Sequence, residues 1–165
     1  MTYRPLIAVT MGDAAGIGAE IIMKSLGHAG IHACCRPLVI GDAARLRAAG
    51  RIIASPLAVR VLPHTEIETT KFENDVVNCI DLGLIPSDLP WGRLSAIAGA
   101  AAFRYVETAT KLAMAGRIDA ICTVAESAHD RRRASPLPSR DTASPPECAH
   151  HAMTDRTRMQ CRPRE

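Results

Sequence analysis

Three closely spaced glycines and an aspartate near the amino terminus are the residues whose types and spacing best suit chemistry. Gly12, Gly16 and Gly18 carry no side chain, so the backbone there can bend sharply, and a ligand or another backbone can approach closely. Asp13 supplies a carboxylate where the turn begins. Four apolar residues at helical spacing follow: Ile17, Ile21, Ile22 and Leu26. We therefore predict a strand, a glycine-rich turn and an amphipathic helix with these four residues on its buried face.

A turn of this kind can present the free N–H groups of a helix N-terminus to an anion such as phosphate. The spacing here is G-x-x-x-G-x-G, which differs from the G-x-G-x-x-G dinucleotide fingerprint, and no G-K-[ST] follows as in a P-loop. Glu20 falls in the first helical turn, where the helix dipole favours a carboxylate without any catalytic role. The spacing alone leaves two alternatives, a phosphate- or cofactor-binding loop and a merely tight strand-to-helix connection.

The order of residue types is more specific than the spacing. Residues 10–20, which read T-M-G-D-A-A-G-I-G-A-E, resemble the opening T-x-G-D-P-A-G-I-G-P-E of the 4-hydroxythreonine-4-phosphate dehydrogenase family, and the 4-phospho-D-threonate dehydrogenases in particular. Ala14 and Ala19 stand where that family has proline, which loosens the turn by removing two restraints on φ. A second block, residues 90–123, is similar to the same family, so the likeness covers about residues 6–123.

The resemblance implies an NAD-dependent dehydrogenase of pyridoxine biosynthesis that oxidises a secondary alcohol of a phosphorylated hydroxy acid, with decarboxylation able to follow. It also implies a divalent metal acting as a Lewis acid, a homodimer, and the α/β fold of isopropylmalate and isocitrate dehydrogenases. Five residues match the family motif and would line the cleft that holds substrate and cofactor: Gly12, Asp13, Gly16, Gly18 and Glu20.

The family's later motifs do not follow Thr123 in this sequence. The family continues with A-P-L-N-K-E, then P-G-H-T-E with its substrate-contacting His-Thr pair, then three metal-binding histidines, and none of these occurs here. We therefore assign no catalytic or metal-ligating residue, and we expect this chain to bind no metal or NAD and to be inactive. The alternative is a non-catalytic α/β module that binds a phosphorylated ligand or a protein partner through the turn between Gly12 and Gly18.

Residues 124–165 differ in character from residues 1–123, which we take as the α/β part. They contain five prolines, the run Arg131-Arg132-Arg133, and no useful helical or strand period, so we expect disorder. Because the switch falls in mid-motif, our hypothesis is that this tail is a frameshifted reading. Its histidines and cysteines match no zinc spacing, and it has no aromatic residue for base stacking, so we expect neither zinc nor nucleic acid as a partner.

The elements that position the turn follow from hydrophobic periodicity. Apolar or alternating runs predict strands at residues 6–9, 37–40, 57–62 and 76–82 and a buried strand at residues 118–123. Helical patterns after Gly16, over residues 43–49 and after Ser95 alternate with these strands. The alternation predicts an α/β fold with a mostly parallel sheet flanked by helices.

Two predicted helices carry recognisable end signals. Asp42 suits the N-cap of the helix over residues 43–49 and Gly50 suits its end, although Asp42 could instead be an acidic residue that grips a ribose. Ser95 is the predicted N-cap of the longest helix, in which Glu107 and Lys111 form an i,i+4 ion pair. An alanine-rich stripe on that helix allows close packing.

Composition narrows the class of protein. The chain has 165 residues, 47% of them hydrophobic, and a net charge of +3, which gives no argument for nucleic acid binding. No run reaches the length of a membrane span, and the first residues lack the apolar core of a signal peptide. The six cysteines form no C-x-x-C motif and predict buried free thiols in a cytoplasmic protein. His28, His32 and His64 are expected in loops or at helix ends.

Overall fold

Five parallel strands form one sheet in the computed structural model, which describes residues 3–124. The strands are β1 (Leu6–Thr10), β2 (Arg36–Gly41), β3 (Ala58–Val61), β4 (Val76–Asp81) and β5 (Ala120–Thr123). Their order across the sheet is β3-β4-β2-β1-β5, so the first strand of the chain lies between the second and the last. The predicted α/β fold with a parallel sheet is confirmed.

Within residues 3–124, four helices connect or flank these strands. They are α1 (Gly18–Ser25), α2 (Ala29–Cys34), α3 (Ala43–Ile52) and α4 (Ala96–Met114), and a 3₁₀ turn covers His64–Glu66. Helix α1 packs against α3, whereas α4 packs against β1, β2 and β5. Since parallel crossovers are right-handed, α1 and α3 lie on one face of the sheet, and α4, which returns from β4 to β5, lies on the other.

The long helix α4 behaves as the sequence predicts. Ser95 Oγ accepts a hydrogen bond from the Ala98 N–H at 3.4 Å, and Glu107 pairs with Lys111 at 2.7 Å. The alanine-rich stripe is buried against the sheet: Ala98, Ala101, Ala102, Tyr105, Ala109 and Leu112. Because most of these side chains are small, the helix backbone approaches the strands closely.

The end of α3 differs from the prediction. The helix continues past Gly50 to Ile52, and the left-handed turn that follows is made by Ala54 at φ +52°. Gly50 is buried, and a Cβ there would lie 3.0 Å from Met23 Cε of α1. The missing side chain therefore serves the packing of α1 on α3, not the termination of the helix.

Two other expectations need correction, and one helix was not predicted. The predicted buried face of α1 holds only Ile22 and Leu26, since Ile17 and Ile21 are 66% and 41% exposed. The last strand, β5, was expected to be buried, but all four of its residues are exposed because no described residue covers its outer side. Helix α2 was not predicted.

The described cysteines differ from one another in burial. Cys79 is buried, but Cys34 and Cys122 are exposed, so the expectation of buried thiols is wrong for those two. In the part of the chain that the structure describes, no helix is both long and apolar enough to cross a membrane. The predictions for residues 125–165, including their disorder, lie outside the described residues.

Candidate functional site

The glycine-rich turn lies directly after β1, at the carboxyl end of the sheet. Gly12 is buried and takes φ +69°, a left-handed conformation that glycine adopts without strain. Asp13 is half-buried, and its Oδ1 accepts a hydrogen bond from the Ala15 N–H at 2.8 Å. The Gly16 N–H donates to the Asp13 carbonyl at 3.1 Å. The turn is therefore held by its own hydrogen bonds, and within residues 3–124 Asp13 Oδ2 accepts none.

The glycines of the turn differ in how closely the rest of the protein surrounds them. A Cβ on Gly18 would collide with the carbonyl oxygen of Met11, so close approach of the chain's own backbone accounts for this glycine. A Cβ on Gly16 would lie 3.4 Å from Asp13 Oδ2, which is ordinary contact. Steric crowding by the protein therefore explains Gly18 but leaves Gly16 unexplained.

Glu20 lies half-buried in the first turn of α1. Among residues 3–124 it forms no ion pair, and its position matches the stabilisation that a helix dipole gives to a carboxylate. The five residues of the predicted site thus share one turn and one helix start. Gly12 and Gly18 are buried, while Asp13, Gly16 and Glu20 are partly accessible.

A buried arginine on α3 is the residue that sequence reasoning missed. Arg45 is 5% exposed, and its Nε donates to the Ala14 carbonyl at 2.6 Å. Its Nη1 donates to the Leu89 carbonyl at 2.9 Å, and its guanidinium stacks on the Trp91 ring 3.3 Å from the centroid. Stacking on an aromatic face and a planar set of donors suit arginine to this position. Arg45 thereby joins the turn to the connection between β4 and α4.

A direct backbone bond reinforces this clamp, since the Gly92 N–H donates to the Ala15 carbonyl at 2.7 Å. Burial lowers the pKa of Arg45, and the nearby carboxylate of Asp13 opposes that shift. Arg45 Nη2 is buried and has no acceptor among the described residues. No sequence signal distinguishes Arg45 from the exposed Arg47, because both lie on the same short amphipathic helix.

Asp42 is the N-cap residue of α3, as predicted, but the expected capping by its side chain is wrong. Asp42 precedes α3 but its side chain makes no capping bond; Oδ1 accepts from the Ile85 N–H, and Oδ2 from the Leu84 N–H, both at 3.1 Å. Oδ2 also accepts from the Tyr105 hydroxyl at 2.7 Å. The carboxylate instead cross-links the ends of β2 and β4 to α4, and it is too buried, at 2% exposed, to grip a ribose. Burial and the hydrogen bond to Asp42 raise the pKa of Tyr105.

The Ala43 N–H at the start of α3 donates to Asp81 Oδ1 at 3.1 Å, so a neighbouring strand supplies the partner that Asp42 was expected to provide. The histidines behave as expected of loop or helix-end residues. His28 and His64 are exposed, and buried His32 donates from Nε2 to the Leu26 carbonyl at the end of α1 at 2.8 Å. Within residues 3–124, no three histidine, cysteine or acidic side chains are grouped so that they could hold a metal ion.

Comparison with known proteins supplies the family. The sequence profile described as "Pyridoxal phosphate biosynthetic protein PdxA" matches residues 33–134. The D-threonate 4-phosphate dehydrogenase of Cupriavidus necator is 55% identical over 121 residues, which are 73% of this chain and 36% of that protein. The 4-hydroxythreonine-4-phosphate dehydrogenase of Trichlorobacter lovleyi is 33% identical over 134 residues, 81% of this chain and 40% of that protein.

Solved structures agree with the sequence relatives. A 4-hydroxythreonine-4-phosphate dehydrogenase from Burkholderia phymatum superposes with a TM-score of 0.77 at 47% identity, over 83% of this chain and 42% of that one. The enzyme of the same name from Klebsiella pneumoniae gives 0.72 at 36% identity, over 82% of this chain and 42% of that one. The chain therefore spans about two fifths of the length of these relatives. On this sequence and structural agreement, the chain belongs to the PdxA family, whose matched members are named as dehydrogenases.

Proposed function

We propose that this chain is the amino-terminal α/β part of a dehydrogenase that oxidises a secondary alcohol of a phosphorylated hydroxy acid of the D-threonate 4-phosphate or 4-hydroxythreonine-4-phosphate type. The observation that carries the proposal is the 55% identity to a D-threonate 4-phosphate dehydrogenase over a segment that folds with its glycine-rich turn at the carboxyl end of the sheet. Ligands of open parallel α/β sheets bind at that end.

In this proposal the turn contributes one wall of the substrate cleft. Asp13 offers the carboxylate oxygen Oδ2 to a substrate hydroxyl, while Oδ1 keeps the turn in shape through Ala15. Gly12 takes the left-handed conformation of the turn, Gly16 lies next to Asp13 Oδ2, and Gly18 lets the start of α1 approach the Met11 carbonyl. Glu20 stabilises the start of α1. Arg45 acts as a positioning residue, because it holds the Ala14 carbonyl against the segment that contains Leu89 and Trp91.

NAD and a divalent metal belong to the proposal through the family resemblance. The described residues do not fit either group: residues 3–124 contain no cluster of metal ligands, and Asp42, the one acid in the position of a ribose ligand, is fully used by the protein. We therefore assign no step of hydride transfer or Lewis-acid catalysis to these residues. The proposal is that this chain alone is inactive.

We also propose a cytoplasmic location and a homodimeric parent enzyme. The described cysteines Cys34, Cys35, Cys79 and Cys122 are all free thiols, which suits a reducing compartment. The homodimer rests on the family resemblance alone.

Turnover tests the proposed inactivity. The purified chain, incubated with NAD, D-threonate 4-phosphate and Mg²⁺ or Zn²⁺, should give no increase in NADH absorbance above the protein-free rate. The Cupriavidus necator relative serves as the positive control in the same assay. Clear turnover by the chain would show that the described fold and its tail suffice for catalysis, and would end this part of the proposal.

Calorimetric titration tests the role of the turn. Binding of D-threonate 4-phosphate should weaken by about tenfold in Asp13→Asn, because a charge-assisted hydrogen bond is lost. The asparagine Oδ1 can still accept from Ala15, so the turn itself should persist. The matched control is Asp75→Asn, which changes an exposed acid just before β4, at the amino end of the sheet, and should leave affinity unchanged. Equal affinity of both variants would remove Asp13 from the site, and binding without turnover would favour the non-catalytic module.

A further inference from the structure

Arg93 is an exposed arginine whose backbone is held beside the glycine-rich turn. It directly follows Gly92, and the Gly92 N–H donates to the Ala15 carbonyl at 2.7 Å. The N–H of the same Ala15 donates to Asp13 Oδ1 at 2.8 Å. Asp13 and Gly92 thus bind the two backbone polar groups of one residue, which brings the start of the Arg93 side chain close to the Asp13 carboxylate.

The connection that carries Arg93 is fixed to the rest of the fold. The Leu89 carbonyl accepts from Arg45 Nη1 at 2.9 Å, and the Trp91 ring stacks on the same guanidinium. Gly92 then takes φ +71°, and nothing lies within 4 Å of its Cβ position, so the backbone bend and not crowding accounts for this glycine. A side chain on an immobilised backbone has less freedom to lose when it binds a ligand.

No acidic side chain within residues 3–124 forms an ion pair with Arg93. Arg93 is the one basic residue in the sequence of the two connections that meet here, residues 11–17 and 82–95. Their acids are Asp13 and the exposed Asp88, and neither is paired with Arg93 in the described part of the chain. This end of the sheet therefore carries a guanidinium and a carboxylate that do not neutralise each other.

A phosphorylated hydroxy acid has groups complementary to both side chains. Its hydroxyl can donate to Asp13 Oδ2, and its phosphate and carboxylate are oxyanions, which arginine binds through paired, charge-assisted N–H groups. We infer that Arg93 binds an oxyanion of the ligand, phosphate or carboxylate, while Asp13 accepts from its hydroxyl. Arg93 is then a specificity-determining residue of the site. The inference rests on the proposed function and assigns the charged part of the ligand to this residue.

The other arginine at this end of the sheet is already used by the protein. Arg45 is 5% exposed, and its Nε and Nη1 donate to the carbonyls of Ala14 and Leu89. Its remaining nitrogen, Nη2, is buried, so a ligand does not reach it in this arrangement. Arg45 therefore supports the connection, and the exposed Arg93 is the guanidinium that a ligand can contact.

Calorimetric titration of the full 165-residue chain with D-threonate 4-phosphate and with D-threonate tests this role. Arg93→Gln, which removes the charge, should weaken binding of the phosphorylated compound by about tenfold or more. Arg93→Lys keeps the charge but not the planar pair of donors, so it should recover part of that loss. The matched control, Arg51→Gln, removes an exposed arginine at the end of α3, at the amino end of the sheet, and should bind as the original chain does.

The two compounds identify the oxyanion. A loss in Arg93→Gln that is confined to D-threonate 4-phosphate assigns the phosphate to Arg93, and an equal loss with both compounds assigns the carboxylate; either result supports the inference. Unchanged affinity of Arg93→Gln for the phosphorylated compound would overturn it. So would an equal loss in Arg51→Gln, or no binding by the original chain.

The Asp13→Asn variant separates this inference from the proposed function. If Asp13→Asn weakens binding and Arg93→Gln does not, the inference fails and the proposed role of the turn stands. If Arg93→Gln weakens binding and Asp13→Asn does not, Arg93 is supported, and the result counts against the part of the proposed function that places Asp13 at the substrate hydroxyl.

Discussion

The β2–β4 half and the β1–β5 half of the sheet differ in how far their polar and apolar groups are buried. Around the carboxyl ends of β2 and β4, the buried carboxylate of Asp42 accepts hydrogen bonds from two backbone N–H groups and from Tyr105, and Arg45 joins the neighbouring turn to Leu89. On the β1–β5 side, the corresponding tyrosine–aspartate bond, from Tyr3 to Asp119 at 2.6 Å, is exposed to water. An apolar groove between β1, β5, α1 and α2 and the four exposed residues of β5 are not covered by any other part of residues 3–124.

This difference shows where the fold is self-sufficient. A buried carboxylate with three donors persists only when the surrounding structure is rigid, because losing any donor leaves a charge poorly compensated. The β2–β4 side thus meets its own requirements within residues 3–124. Within the same residues, the β1–β5 side leaves an apolar groove and a strand edge uncovered.

The largest expected effect on stability comes from a substitution in the glycine-rich turn between β1 and α1. Gly18→Ala would push a Cβ into the Met11 carbonyl, which is backbone and cannot move aside, so we expect a loss of about 3 kcal/mol or more in the free energy of unfolding, or no soluble protein. Gly30→Ala is the matched control, because nothing lies within 4 Å of its Cβ position in α2. Urea denaturation should find that control unchanged or up to about 1 kcal/mol more stable. Equal stability of both variants would contradict the close backbone contact.

A second prediction compares the two tyrosine–aspartate bonds directly. Tyr105→Phe removes one donor from the buried Asp42 and should lower the free energy of unfolding by about 1–3 kcal/mol in urea denaturation. Tyr3→Phe removes the same kind of bond in an exposed position, where water replaces the hydroxyl, and its effect should be far smaller. If the two variants lost similar stability, the contrast between a closed and an open side would be wrong.

The smallest expected effect is on the stability of the protein at acidic pH. The hydrogen bonds from the Tyr3 hydroxyl and the Leu6 N–H lower the pKa of Asp119 below its usual 3.8. A carboxyl whose pKa is lower in the folded state contributes stability that is present above the unfolded pKa and is lost as pH falls through the folded pKa. Denaturation from pH 6 to pH 2 should therefore show a small acid-side loss that Asp119→Asn lacks. If the stability of the original chain and that of Asp119→Asn fell equally with pH, Asp119 would not be the cause of the acid-side loss.

Much of the fold was predictable because it depends on local patterns. The alternation of apolar runs and helical periods gave all five strands, and Ser95 marked the start of α4 correctly. The family resemblance over residues 6–123 was confirmed by the matched relatives. These features need only nearest neighbours along the chain or a distinctive order of residue types.

The features that were missed depend on contacts between distant segments. Asp42 precedes a helix and has the residue type of a capping side chain. Its carboxylate instead accepts hydrogen bonds from the Tyr105 hydroxyl and from the backbone N–H groups of Leu84 and Ile85, which are buried together with it. Arg45 has its hydrogen-bond partners 31 and 44 residues away, at Ala14 and Leu89. The exposure of β5 could not be inferred from its apolar composition. An apolar composition predicts a buried strand, but it does not show whether another segment covers that strand.

The position of β1 in the sheet has a consequence for synthesis of the protein. The Leu6 N–H pairs with the Asp119 carboxylate, 113 residues later in the chain. At about 5–20 residues per second, the ribosome adds that intervening length in roughly 6–23 s. One whole side of the first strand is therefore without its neighbour for that time, and a nascent chain must shield it from other nascent chains until the fifth strand emerges.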